Sequence, residues 1–171
     1  MLQTEPLRRA EVCRFHAAAL ILVPLFALVL QAYLPLYFNS LRILELPLLL
    51  VIYFALARRS PAAGIMAGAV VGFAHDSLSR DPIGLYAVSE TVAGFLAGVV
   101  SSRMEADSSG VRLLVVLALY YVNLFTVYSL QVTLLGQSPQ LSLRAAITAS
   151  LVNAVTGMLI FKVLDRFRKP A

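Results

Sequence analysis

Apolar residues in this chain run on without the polar interruptions that give a water-facing helix or strand its period. Six such runs stand out, at residues 15–34, 41–57, 62–78, 85–101, 113–135 and 143–164. Each has 17 or more residues, and at about 1.5 Å per residue each reaches about 25 Å or more as a helix. That is the low end of what crosses a bilayer. In lipid every backbone polar group needs an internal partner, so the runs are read as helices. Punctuation between them is turn-like. Arg58-Arg59-Ser60-Pro61 opens the third run, Asp81-Pro82-Ile83-Gly84 the fourth, and Gly136-Gln137-Ser138-Pro139-Gln140 precedes the sixth. The longest polar connection, residues 101–112, is too short for a domain. The expected fold is all-α, a single membrane domain of six spans over residues 1–171.

Within the runs, Pro24 is expected to kink the first helix, and Pro47 suits the first turn of the second. Arg42 and Glu45 stand one turn apart and could pair at the membrane surface. The first run follows Arg8, Arg9 and Arg14, as a signal peptide would. It is long for that role and lacks a small-x-small cleavage site after it, so it is read as a retained span. The third run could also dip into the membrane as a re-entrant segment.

Composition agrees with lipid as the solvent. The chain of 171 residues is 60% hydrophobic and 13% charged, against roughly 25% charged in a soluble domain. Its charge of +5 does not point to nucleic acid, because the basic residues flank the apolar runs instead of forming one stripe. They also orient the bundle. With the N-terminus inside, Arg8, Arg9, Arg14, Arg58, Arg59, Arg103, Arg112, Lys162, Arg166, Arg168 and Lys169 face the cytoplasm. Only Arg42, Arg80 and Arg144 face out, eleven against three of the fourteen. Both termini are therefore expected in the cytoplasm, with Tyr33, Tyr37 and Phe38 at the outer interface. Cys13 is the only cysteine, so no intrachain disulfide or cysteine-based metal site is expected.

The candidate chemistry is sparse. Gly64, Gly68 and Gly72 repeat at four-residue steps in the third run, and Gly94 and Gly98 in the fourth. Such spacing leaves a smooth helix face, for packing inside the bundle or for docking a partner's helix. Asp76, beside His75, closes the third span. It reads as a carboxylate bonded to the following turn, through backbone amides or Arg80, or as a proton-relay or ligand site. Glu90 lies deeper and calls for a basic partner or a polar cavity. Asn123, Gln131 and Asn153 suit interhelical hydrogen bonds. A lipid-modifying enzyme would gather acids, histidines and arginines at one membrane face. His75, Asp76, Arg80 and Asp81 form only a thin version, and no catalytic motif, metal set or cofactor site is expected.

The stretch from Gly64 through Gly68, Gly72, Asp76, Leu78, Ser79, Ile83 and Gly84 resembles the signature of the rod shape-determining protein MreD family. The Pro-led run from Leu46 to Leu56, Asn153 and the basic tail 162–169 are also similar. The turn Ser79-Arg80-Asp81-Pro82 is poorer in glycine than is usual there, and His75 and Glu90 lie outside the pattern. The resemblance implies a non-enzymatic scaffold in the bacterial inner membrane. Such a subunit binds MreC and helps couple MreB to peptidoglycan synthases in the cell-elongation machinery. It also implies a fold similar to the S components of vitamin transporters. The alternative function is a small-molecule-binding subunit of such a transporter.

Overall fold

The computed structural model describes residues 17–79, 81–103, 108–137, 139–140 and 142–166. Six α-helices account for nearly all of it: α1 Ala17–Tyr37, α2 Leu46–Arg58, α3 Pro61–Leu78, α4 Leu85–Arg103, α5 Ser109–Leu135 and α6 Leu143–Asp165. A short 3-10 helix, Asn39–Ile43, stands between α1 and α2. Cys13, His16, Arg80, Arg168, Lys169 and the N-terminal arginines lie outside the described residues.

Helices α4, α5 and α6 are long and apolar enough to cross a membrane, and Ile21–Tyr37 is a shorter apolar helix. The largest departure from expectation is the second run. Its first part is the 3-10 helix, and α2 keeps 13 residues, about 20 Å and well short of a bilayer core. The third run, read as the doubtful one, is an unbroken 18-residue helix. The short helix is central: α2 touches all five others. It is buried from Leu46 to Ala57 on every side, with Leu49, Val51, Ile52 and Ala55 at 0% exposure. A helix apolar all round is one with no wet face, which is why this run shows no amphipathic period.

The outer helices have the opposite arrangement to a soluble bundle. On α6 the exposed residues are Leu143, Ile147, Leu151, Val155, Leu159 and Val163, at four-residue steps. Its buried face holds smaller and polar groups such as Ala149, Ser150, Asn153, Ala154 and Gly157. Large apolar side chains outward and small residues inward is the pattern of a helix packed in lipid. Tyr33, Tyr37 and Phe38 are likewise exposed.

One end of the bundle is tied by charge. Asp165 at the end of α6 accepts from Tyr53 Oη of α2 at 3.1 Å and from Arg112 Nη1 in the first turn of α5. The opposite end carries the α3–α4 turn and the start of α2.

Candidate functional site

The stretch richest in glycine forms an antiparallel hairpin of α3 and α4. Its two helices meet backbone to backbone along their whole length. A Cβ on Gly64 would overlap the carbonyl of Gly94, and one on Gly94 would overlap that of Gly64. Gly68 faces the carbonyl of Glu90 and the Cα of Thr91. At Gly72 a Cβ would lie 2.6 Å from Tyr86 O, and at Gly98 2.6 Å from Pro61 Cα. These five glycines are packing residues, and a partner's helix would have to displace α4 to reach Gly68 or Gly72.

Asp76 closes the hairpin at its turn. It is 2% exposed, and its two carboxylate oxygens accept three backbone N–H groups at 2.9 Å: Gly84 and Ala87 at Oδ2, Tyr86 at Oδ1. Tyr86 and Ala87 belong to the first turn of α4 and Gly84 immediately precedes it; the leading N–H groups of a helix have no partner within it, and its dipole favours a negative charge there. Gly84 sits at φ +104, a conformation that side chains resist, and so aims its N–H back at Asp76. Both residues of the signature thus serve one cap. The backbone-amide reading of Asp76 is the one seen.

Just inside this cap lies a buried polar centre. His75 Nδ1 is 2.8 Å from Glu90 Oε1, and the imidazole stacks on Tyr86 with ring centroids 4.1 Å apart. The basic partner anticipated for Glu90 is therefore His75, one residue before Asp76. Beyond them, Asn123 Nδ2 of α5 donates to Glu45 Oε2 at 2.9 Å. Glu45 and Glu90 lie near enough for their charges to interact. The surface pair of Arg42 with Glu45 is not formed: Arg42 is exposed, and Glu45 turns inward to Asn123.

The break between the 3-10 helix and α2 explains the remaining amides. It leaves N–H and C=O groups without helical partners beside Asn123 and Asn153, which lie near the middles of α5 and α6. Irregular backbone at that depth must be satisfied by protein. Two side-chain amides do this in matching fashion. Gln31 accepts from Leu46 N at 3.1 Å and donates to Leu44 O at 2.8 Å. Asn153 accepts from Glu45 N at 2.8 Å and donates to Ile43 O at 2.7 Å. Truncating Asn153 to alanine leaves one donor and one acceptor buried and unmatched. It is expected to lower stability by about 2 kcal/mol, read as a lower melting temperature of the purified protein in detergent.

Gln131 is not part of this centre. It is half-buried near the end of α5, where its carbonyl receives the N–H groups of Gly136 and Gln137, and its side chain makes no interhelical bond among the described residues. Sequence reasoning missed Gln31 altogether and misplaced the partner of Glu45. The available signal was a polar side chain in the midst of each apolar run, which lipid does not tolerate without an inward partner.

A family model described as rod shape-determining protein MreD matches residues 13–167. No curated protein and no solved structure matches the chain. The matched region takes in all six helices, the glycine seam and the Asp76 cap, and the apolar outer faces are those of a multi-pass membrane protein. This chain belongs to the rod shape-determining protein MreD family.

Proposed function

We infer that the protein is a non-enzymatic scaffold of the bacterial inner membrane, with both termini in the cytoplasm. It binds MreC, and through that contact helps couple MreB to the peptidoglycan synthases of cell elongation. The observation that best supports this reading is the family match over residues 13–167, joined to a bundle whose polar side chains are engaged mainly in holding its own helices. The eleven-to-three split of basic residues supports the orientation.

Affinity capture of the tagged chain from native membranes, with partners identified by mass spectrometry, tests the proposal. MreC is the expected main partner. The transporter alternative predicts an ATPase and a tightly held vitamin-like molecule in its place, and that result would overturn the scaffold reading.

A further inference from the structure

Among the described residues, the buried polar centre holds more acceptors and negative charge than donors and positive charge. Glu90 and Asn123 are 1% and 2% exposed. One acceptor atom of each, Glu90 Oε2 and Asn123 Oδ1, has no hydrogen-bond partner among the described residues. Buried acceptors without donors are rare, and each calls for an explanation. The charges around them are also unbalanced. Among the described residues, the charged neighbours of Glu90 are His75 and Asp76 and those of Glu45 are Glu90 and His75, none of them an arginine or lysine. Asp76 is met by three N–H groups of α4. Among the described residues that leaves Glu45 and Glu90 with one imidazole, so their sum is negative even when His75 is protonated. Several kcal/mol of desolvation per ion attach to such an arrangement in a protein interior.

We propose that this centre, formed by Glu45, Glu90, Asn123 and His75, binds one exchangeable monovalent cation, a proton or a sodium ion. Every helix packed on Glu90 contributes to it. α3 brings His75 and Asp76. The start of α2 brings Glu45, and α5 brings Asn123, which donates to Glu45, and the buried Tyr120. On α4 itself, Tyr86 stacks on His75, and Asp81 lies in the turn before it. A proton on Glu90 turns an orphaned acceptor into a donor. A sodium ion instead takes oxygens, which the two carboxylates and the Asn123 amide supply.

The test is thermal unfolding of the full chain in lipid nanodiscs across mildly acidic to alkaline pH, in choline chloride and in sodium chloride. If the cation is a proton, the folded state holds one that the unfolded state releases. Stability is then greatest at low pH, and the folded-to-unfolded ratio falls by up to about tenfold per pH unit as pH rises. Sodium leaves that slope unchanged. If the cation is sodium, the alkaline loss is reversed by sodium and not by choline. In either case Glu90→Gln, which removes the charge and adds a donor, flattens the response. Infrared spectroscopy of the wild-type protein gives a second reading that needs no variant. A protonated carboxyl band present at neutral pH and lost on alkalinisation marks the proton. Stability indifferent to both pH and sodium overturns the proposal, as does a Glu90→Gln protein that keeps the wild-type response.

Discussion

Replacing Gly94 by alanine is expected to unseat α3 from α4 and to cost on the order of 3 kcal/mol. The methyl group would enter the space of the Gly64 carbonyl, and it would press on the Val51 side chain as well. Backbone cannot turn aside as a side chain can, so the helices must separate along the seam. Separation strips contacts from Gly68 and Gly72 of α3 and Gly98 of α4 together, because the two rigid helices meet along one seam. A larger residue such as leucine at Gly94 is expected to prevent accumulation of folded protein, given total stabilities of about 5–15 kcal/mol. Gly110 provides the control. It lies in the first turn of α5 with nothing within 4 Å of its added Cβ, and Gly110→Ala is expected to be neutral or slightly stabilising through helix propensity. Melting temperatures of the two alanine variants in the same detergent make the comparison. Equal melting points would mean that the seam does not hold the hairpin.

Asp76→Ala carries the second large effect, about 4 kcal/mol, from the loss of three charge-assisted bonds at one helix terminus. The N–H groups of Gly84, Tyr86 and Ala87 would be left without their acceptor. Asp76→Asn keeps one acceptor oxygen but turns an NH2 group toward N–H donors, so about half the loss is expected. Hydrogen exchange at the start of α4 should accelerate in both variants, and by more in alanine. An Asp76→Asn protein as stable as wild type, with unchanged exchange there, would remove the cap from this account.

Much of this was legible in the chain. Long apolar runs with polar ends translate directly into helices when lipid is the solvent, and five of the six appear nearly as read. Glycine at four-residue steps marks a close helix contact, although spacing alone does not say whether the other helix is internal. The second run misled because Leu41 to Ala57 reads as one helix although Arg42 and Glu45 interrupt its first part. Burial on all sides imposes no period within α2, and the mark of its start is Pro47, which stands in the first turn of α2 as expected. Arg42 and Glu45 are close in sequence and suggested a local pair. The structure instead joins Glu45 to Asn123, 78 residues away, because a carboxylate at that depth needs a buried donor. Gln31 and Asn153 follow the same logic: their partners are backbone groups freed by the break before α2, and such long-range partners have no local mark in the sequence.

On this account the MreD signature from Gly64 to Gly84 builds the bundle and does not itself touch the partner. The most direct measurement is the amount of MreC recovered from native membranes per unit of folded chain, for the wild type and for Gly72→Ala. The variant is expected to melt lower and to yield less folded protein, while each folded molecule retains MreC as the wild type does. A Gly72→Ala protein with wild-type melting that no longer retains MreC would contradict it, and would place the partner on the glycine face.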